Sequence, residues 1–317
     1  MTETQARYAW WQKLALYALL VFMTVIIAYP FYQAVVTSLA TSGEVQHYPP
    51  RLFPATIQFQ NYIDALEIAP LPRYLFNSIV QASLVTLSHL ILASLAGYAF
   101  AFIDFKFKNF FFLIFLSTMM IPWEATIIPN FLTITSRNPL PFCSDNDLFV
   151  SILQWIKSTN LINFVVDPAK PSCAFTFKDT YLGLAFPYMA TAFGTFLVRQ
   201  FFMSIPKDLH DAATIDGCSR LRFLTTIAVP LARPALATLG VYSFLQTYNQ
   251  YLWPLLVTND KNMRTVQIGL RMLQDQENLQ YQLVMAGVVI ILIPTFVLFI
   301  LGNRQLIRGL TAGAVKG

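Results

Sequence analysis

The sequence predicts a polytopic α-helical membrane protein, on the strength of three observations. Of its 317 residues, 56% are hydrophobic and 12% are charged, which is about half the charged fraction of a typical soluble domain. The apolar residues come in long uninterrupted blocks, not at the spacing of an amphipathic helix or strand. Those blocks are almost free of charge. A block of about 20 apolar residues crosses a bilayer as a helix, because every backbone amide is then satisfied internally.

Six blocks are long enough to span: Leu14–Thr37, Phe76–Phe102, Phe110–Thr133, Leu182–Val198, Ala235–Val257 and Leu283–Leu301. Across them Glu124 is the only acidic or basic residue, and His89 is the only histidine. The first block is too long for the apolar region of a signal peptide, and no clear small-residue cleavage site follows it. We therefore expect six transmembrane helices, the first of them retained.

The positions of lysine and arginine predict the orientation in the membrane. If the N-terminus is cytoplasmic, the inside segments are 1–13, 103–109, 199–233 and 302–317, and they hold 12 of the 21 Lys and Arg residues. This excess agrees with the positive-inside rule, so both termini are expected in the cytoplasm. Basic membrane flanks also account for the net charge of +5, and no nucleic-acid partner is implied.

The segment 199–233 is the only inside segment long enough to hold a folded surface. Pro206 favours a helix that starts just after it, and acidic residues near that start suit the helix dipole. Gly217 is placed to end this helix. A second amphipathic helix follows and stops at Pro230. A helix, a tight turn and a second helix form a shape suited to docking on a cytoplasmic partner.

This segment resembles the signature loop of binding-protein-dependent ABC importer permeases: Glu-Ala-Ala, three residues, Gly, nine residues, then Ile-x-Leu-Pro. The corresponding residues here are Asp211, Ala212, Ala213, Gly217, Ile227, Val229 and Pro230, at matching spacing throughout. Asp211 replaces the glutamate and Val229 replaces the leucine. In that family the first helix is the coupling helix, which sits in a cleft of an ATPase subunit.

By resemblance, the ATPase-coupling contact is expected at Asp211, Ala212, Ala213, Gly217, Ile227 and Pro230. The shorter carboxylate of Asp211 leaves its own polar contact with the ATPase open. A simpler interpretation is that Asp211 compensates the helix dipole. The loop as a whole is still expected to dock.

The resemblance extends over nearly the whole chain. NSIVQASLVT and GYAFA in the second block are similar to the carbohydrate subgroup of these permeases. The stretch NQYLWPLL, Asn249–Leu256, is similar to the second permease of glycerol-3-phosphate and related sugar importers. The implied fold is the type I ABC importer permease, an all-α protein of the bacterial inner membrane.

The resemblance also implies partners and a domain organisation. The expected partners are a homologous sister permease, a cytoplasmic ABC ATPase dimer and an extracytoplasmic solute-binding protein. The chain itself is expected to be non-catalytic and to bind no cofactor, because ATP and Mg would be held by the ATPase. We expect a first helix and outside loop over 1–75, a permease core over 76–302 and a cytoplasmic tail over 303–317.

Polar residues within the spans are candidates for the solute pathway. Glu124 is equally compatible with lining a cavity and with a position near the membrane interface. Further candidates are Gln81, His89, Asn249 and Gln250. A lone histidine in a membrane helix more often bonds to a neighbouring helix than to a ligand. No Lys or Arg lies within a span, which favours a neutral sugar or polyol over a phosphorylated solute, although the sister permease could supply the charge.

The stretch 137–178 departs from the resemblance as an insertion in the second outside loop. It contains Cys143 and Cys173, and a disulfide is plausible outside the membrane; two free thiols are the alternative. Asp147–Thr159 has the spacing of a short amphipathic helix. The insertion either contacts the solute-binding protein or is a loop without a partner.

A secondary transporter or channel subunit is the alternative function. It would need coupling-ion carboxylates or a selectivity filter within the spans, and Glu124 is the only acidic residue there. It would also leave the motif at 207–230 unexplained. No phosphate-binding loop of the Gly-x-x-x-x-Gly-Lys-Ser/Thr type occurs, so ATP hydrolysis is expected from a partner.

Overall fold

A computed structural model describes residues 10–135, 138–139, 158–160, 163–166, 173–274 and 279–314. This part of the chain is mostly helical. The helices are α1 Trp10–Ser38, α2 Ser42–Val45, α3 Gln60–Ile68, α4 Leu71–Phe102, α5 Lys108–Ser117, α6 Trp123–Thr135, α7 Tyr181–Ala185, α8 Ala192–Phe202, α9 Lys207–Ile215, α10 Arg220–Phe223, α11 Val229–Leu231, α12 Arg233–Tyr248, α13 Leu252–Val257, α14 Val266–Gln274 and α15 Tyr281–Ala314. Short 3-10 segments lie at Thr118–Met120, Phe186–Tyr188 and Lys261–Met263, and a π-helical segment lies at Leu224–Ala228.

Three helices of the described part are long and apolar enough to cross a membrane unbroken: α1, α4 and the Tyr281–Gly302 portion of α15. Three further candidates are bent pairs: Lys108–Met120 with Trp123–Thr135 at 93°, Tyr181–Tyr188 with Ala192–Phe202 at 55°, and Arg220–Leu231 with Arg233–Tyr248 at 80°. If each bent pair is one span, the described residues contain up to six.

Prolines lie at or beside the breaks in the bent pairs. Pro122 directly precedes α6, Pro187 lies in the 3-10 segment before α8, and Pro230 and Pro234 flank the bend before α12. A proline has no backbone N–H and its ring clashes with the preceding turn, so a helix bends or ends there. The fifth apolar block was expected to be one helix over Ala235–Val257. Instead α12 ends at Tyr248, and the short helix α13 follows after a break.

The chain folds as two compact units. The first comprises the described residues of Met1–Pro70 and Leu270–Ile293, and the second those of Leu71–Gly269 and Pro294–Gly317. In the first unit, the buried Asn61 side chain of α3 donates to the carbonyls of Ser38 and Ala40, at 2.9 Å each. These bonds satisfy carbonyls at the end of α1, which have no partner within that helix.

The loop between α1 and α3 in the first unit is organised around Glu44. Thr41 and Glu44 form a capping box at the start of α2. The second carboxylate oxygen of Glu44 accepts from the backbone N–H of Ala55 at 2.7 Å and lies 3.3 Å from Arg51 Nη1. Hydrogen bonds from the Thr41 backbone, and then from Ala55, lower the pKa of Glu44 below 4.5.

In the second unit α4 is the central element, and it packs against α8 and α12. Gly97 allows a close crossing with α8, because a Cβ at this position would lie 3.1 Å from both the Arg199 backbone nitrogen and a Val198 methyl. Buried polar side chains run along α4, including Asn77, Gln81 and Ser94. A helix that buries such groups has to bond them to its neighbours.

The 137–178 segment contributes a small antiparallel sheet that an all-α interpretation did not anticipate. Its strands are β1 Asn138–Pro139, β2 Asn163–Val166 and β3 Cys173–Thr176, in the order β1-β3-β2. Cys143, most of the helix expected at Asp147–Thr159 and much of the insertion lie outside the described residues. The Cys143–Cys173 disulfide therefore stays a prediction.

Candidate coupling segment and solute cavity

The expected helix, tight turn and second helix are present at 207–231. Helix α9 begins directly after Pro206, with Asp208 in its first turn. Its end has the full Schellman hydrogen-bond pattern. Gly217 has φ +74°, its N–H donates to the Thr214 carbonyl at 3.0 Å, and the Cys218 N–H donates to the Ala213 carbonyl at 2.9 Å. The expectation that Gly217 ends this helix is confirmed.

Helix α9 divides the motif residues between two faces. Ala213 is buried and packs in an apolar core that includes Phe202 and Phe223. Asp211 and Ala212 are exposed, as is Gly217. The small side chain of Ala213 thus allows close packing against this chain's own core. A partner has access to Asp211 and Ala212 instead.

After the turn, the second helix is irregular. Helix α10 is followed by the π-helical segment Leu224–Ala228 and by α11, and the backbone then bends by 80° into α12. Ile227 is half-buried in the π segment, and Pro230 lies within α11, which ends one residue later. The second half of the motif therefore connects the turn at Gly217 to the helix that lines the cavity described below.

The segment around α9 presents large apolar side chains to its surroundings. Ile215 is 87% exposed, and Met203, Leu209 and Leu221 are also exposed. Clustered exposed apolar side chains rimmed by polar residues commonly mark a protein interface. Leu209 and Ile215 belong to α9 itself, whereas Met203 lies just before it and Leu221 lies after the turn.

The second unit contains an open cavity of about 490 Å³. It is bounded by α4, the start of α6, the 3-10 segment after α7, the C-terminal end of α12 and the start of α13. Three of the sequence-predicted pathway residues line it: His89, Asn249 and Gln250. Asn249 and Gln250 lie in the break between α12 and α13, where the helix gives way and side chains can turn toward the cavity.

Gln81 lies behind the cavity wall and is buried. Its side-chain nitrogen donates to the Leu184 carbonyl at 3.2 Å and to the Gln250 side-chain oxygen at 3.0 Å. The first bond reaches α7, and the second reaches the break between α12 and α13. Gln81 therefore holds a cavity-lining residue in place and does not face the cavity itself.

His89 makes a similar pair of contacts about two turns further along α4. Its Nδ1 lies 2.7 Å from the Ser243 hydroxyl of α12, and its Nε2 lies 2.5 Å from the Tyr188 carbonyl. A carbonyl only accepts, so in the neutral ring Nε2 carries the proton and Nδ1 accepts from Ser243. His89 bridges helices with both nitrogens, the role that the sequence favoured over ligand binding.

Glu124 is not among the residues that line the cavity. It is exposed in the first turn of α6, just past the 93° bend, where a carboxylate compensates the helix dipole. The preceding residue, Trp123, is the one that lines the cavity. Both residues lie in the first turn of α6, where successive side chains point about 100° apart around the helix axis.

The cavity has an aromatic lining that sequence reasoning missed. It consists of Trp123, Tyr188, Tyr242, Tyr251 and Trp253. Trp253 is buried and donates from its indole nitrogen to the Gly183 carbonyl at 3.2 Å, and its ring packs edge-on against Tyr188. Three of the five directly adjoin a proline in the sequence. An aromatic residue next to a helix-breaking proline was therefore the sequence signal that could have indicated this lining.

The lining combines aromatic faces with amides and hydroxyls. The hydrogen-bonding groups belong to Asn249, Gln250, Gln246, Ser243 and Thr191. None of the described residues that line the cavity is Lys, Arg, Asp or Glu. Aromatic faces with a few fixed polar groups suit a polar, uncharged solute such as a sugar or polyol.

Comparison with known proteins places these features in a family. Residues 89–306 match the family described as the binding-protein-dependent transport system inner membrane component. The chain is 32% identical over 301 residues to the sn-glycerol-3-phosphate transport system permease protein UgpE of Agrobacterium fabrum, covering 92% of this chain and 93% of the relative. The protein of the same name from Yersinia enterocolitica is 32% identical over 302 residues, with 93% and 94% covered.

Solved structures share the fold. A chain in the crystal structure of a bacterial ABC transporter involved in the import of the acidic polysaccharide alginate superposes with a TM-score of 0.71 at 20% identity, covering 94% of this chain and 99% of that one. A chain from the alginate transporter in complex with its pentasaccharide-bound periplasmic protein gives 0.58 at 15% identity, with 93% of each chain covered. The chain thus has the type I ABC importer permease fold and belongs to the binding-protein-dependent transport system inner membrane components.

Proposed function

We propose that this chain is the translocation subunit of an ATP-driven importer for a sugar, polyol or glycerol-phosphate-type solute. The observation that carries the proposal is the coupling segment: a capped helix with exposed apolar side chains, joined through a bent helix to a cavity. A matching partner surface would be a cleft in a separate cytoplasmic ATPase, which would bind ATP and Mg and perform the hydrolysis.

The proposed topology has six spans with both termini in the cytoplasm. α1, α4 and the apolar part of α15 supply three spans, and the bent pairs supply the others. The fifth span is formed by α12. The segment before it, Arg220–Leu231, carries basic residues and makes an angle of 80° with α12, so it is not part of this span. In this arrangement the cytoplasmic side holds α9 and Gly217, and the outside holds the loop around Glu44 and the 137–178 insertion.

Docking would use the exposed side of α9. Asp211, Ala212 and Gly217 are accessible there, and Ile215 supplies an apolar side chain that is 87% exposed. Ala213, Ile227 and Pro230 would act from within the chain, by fixing how α9 joins the α10–α12 segment. The motif thus divides into residues that contact a partner and residues that transmit its movement.

The solute would pass through the cavity beside His89, Asn249 and Gln250. Its aromatic and amide lining supports a neutral sugar or polyol, and the names of the sequence relatives support glycerol 3-phosphate. A homologous sister permease would complete the pathway and could supply a cation for a phosphorylated solute. An extracytoplasmic binding protein would deliver the solute from outside.

The cavity is built at helix breaks, which gives it the means to open on alternate sides. ATP-driven closure of the ATPase would move α9, and the attached α10–α12 segment would then shift the break at Asn249. Breaks of this kind absorb backbone rotation without unfolding the rest of a helix. The chain itself would catalyse no reaction.

The docking proposal is tested by co-purification of the ATPase encoded with this permease. Ile215→Asp places a charge at the most exposed apolar side chain of α9 and is expected to abolish capture of the ATPase from membranes. Ile57→Asp makes the same chemical change at a residue that is 61% exposed in the outside loop, and capture is expected to persist. Capture unaffected by Ile215→Asp would contradict docking through α9.

A further inference from the structure

A histidine on the coupling helix connects it to two other helices at once. The ring of His210 stacks on Phe102 with centroids 5.1 Å apart and planes 14° from parallel. It meets Phe223 edge-on, at 4.8 Å and 82°. Both are the preferred geometries of aromatic pairs. His210 precedes Asp211, and its half-buried ring packs against the chain while its Nδ1 lies 3.6 Å from the Asp211 carboxylate.

The two rings that His210 touches lie at the ends of structural elements. Phe102 is the last residue of α4, and Phe223 is the last residue of α10, directly before the π-helical segment. Phe102 and Phe223 also contact each other at 5.4 Å, and Tyr98 packs against both. The three helices α4, α9 and α10 thus meet in one aromatic cluster around His210.

Each of the two contacted helices leads to the cavity. α4 carries Gln81 and His89, whose side chains hold the broken fourth and fifth spans. α10 continues through the π segment and the bend into α12, whose end carries Asn249. A displacement of α9 that is passed on by the His210 ring therefore acts on both α4 and α12, two of the helices that border the cavity.

Dense packing makes this junction suited to transmission. Phe223 is 2% exposed and Phe202, which also packs on Phe102, is fully buried. A close-packed cluster cannot deform continuously, so a movement of one ring displaces its neighbours.

We propose that His210 is a positioning residue that transmits movement of the coupling helix to α4 and to the α10–α12 segment through its contacts with Phe102 and Phe223. This inference rests on the proposed importer function. It concerns the aromatic ring of His210, and its charge is not required. The residue contacts neither solute nor nucleotide.

The test uses the complete importer in nanodiscs, with the ratio of ATP hydrolysis in the presence and absence of solute-loaded binding protein as the readout. His210→Ala removes the ring and is expected to lower this ratio about fivefold or more. His210→Phe keeps a ring that can stack and is expected to keep the ratio within about twofold of the wild type. His47→Ala, the same change in the outside loop, is the matched control.

If His210→Ala only destabilises the protein, it lowers the melting temperature without changing the ratio of ATP hydrolysis. The melting temperature and the ratio are therefore measured on the same samples. An unchanged ratio in His210→Ala overturns the proposal, as does a His210→Phe ratio as low as that of His210→Ala. If His210→Ala fails to assemble, Phe102→Leu removes the same stack from the α4 side. A wild-type ratio for that variant then overturns the proposal. Failure of the importer function itself is distinct, because the wild-type complex would then show no stimulation.

Discussion

At the scale of single residues, Gly217 is the position where backbone conformation determines which side chains are tolerated. Its φ of +74° lies in the left-handed region, and a Cβ added there would meet no atom within 4 Å. A substitution is therefore opposed by backbone strain alone and not by packing. That separates the conformational requirement of the cap from any contact that Gly217 makes with a partner.

Gly217→Asn and Gly217→Val are expected to differ. Asparagine tolerates the left-handed conformation, whereas a β-branched side chain pays about 1–2 kcal/mol there. Gly217→Val should therefore lower the hydrogen-exchange protection of α9, while Gly217→Asn should leave it close to the wild type. Equal loss of protection in both variants would show that the cap is not limited by backbone conformation.

Glu44 predicts a pH dependence in the loop between α1 and α3. Its folded pKa is lowered by the N–H groups of Thr41 and Ala55. The stabilisation is therefore fully present above the unfolded pKa, near 4.5, and is lost as the pH falls through the lower folded value. Protection factors of the loop amides near Ala55 should fall below about pH 4.5.

Glu44→Gln is the control for this dependence. It removes the titrating group and is expected to give weaker protection at pH 7, with little change down to pH 4. A wild-type loop whose protection is constant across this range would contradict the role of Glu44.

At the scale of elements, the broken helices depend on polar bonds from α4. Gln81 binds Leu184 and Gln250, and His89 binds Tyr188 and Ser243. Buried polar groups in a helix bundle are costly when they lack partners. The breaks thus keep their positions because an unbroken helix beside them supplies donors at two levels.

Gln81→Leu is expected to destabilise the permease by about 1 kcal/mol, because it removes both bonds and leaves the Leu184 carbonyl without this donor. The measurement is the thermal unfolding midpoint in detergent. Gln200→Leu changes an exposed glutamine on α8 and should leave that midpoint nearly unchanged. Equal midpoints for the two variants would contradict the bridging role of Gln81.

Local chemistry made α9 predictable from the sequence. Its start after Pro206 and its end at Gly217 depend on residues within a few positions, so the pattern sufficed. Which face of α9 is buried did not follow, because Ala212 and Ala213 are identical side chains. Only the neighbouring core of Phe202 and Phe223 separates them.

The cavity shows the opposite case. Hydropathy indicated the apolar blocks, but it placed one continuous helix across Ala235–Val257, because the break at Asn249 carries no charge. The aromatic lining was missed because Trp and Tyr are common in membrane helices and do not by themselves indicate a cavity. Glu124 was considered because it is charged, yet Trp123, its neighbour in the first turn of α6, is the residue that lines the cavity.

At the scale of the whole molecule, the orientation of the chain is open to a direct test. In a variant whose three cysteines are replaced by serine, Gly43→Cys and Ser204→Cys each introduce one exposed thiol. With both termini in the cytoplasm, a membrane-impermeant maleimide should label Gly43→Cys in intact spheroplasts and Ser204→Cys only after permeabilisation. The reverse pattern would invert the proposed topology.

The central claim is that solute movement through this chain is driven by a separate ATPase. The most direct measurement is uptake of candidate solutes by proteoliposomes containing the permease, its sister and the ATPase, with binding protein outside. We expect accumulation only when ATP is enclosed and the binding protein is present, for a sugar, polyol or glycerol phosphate. Accumulation driven by an ion gradient without ATP would contradict the account and favour a secondary transporter.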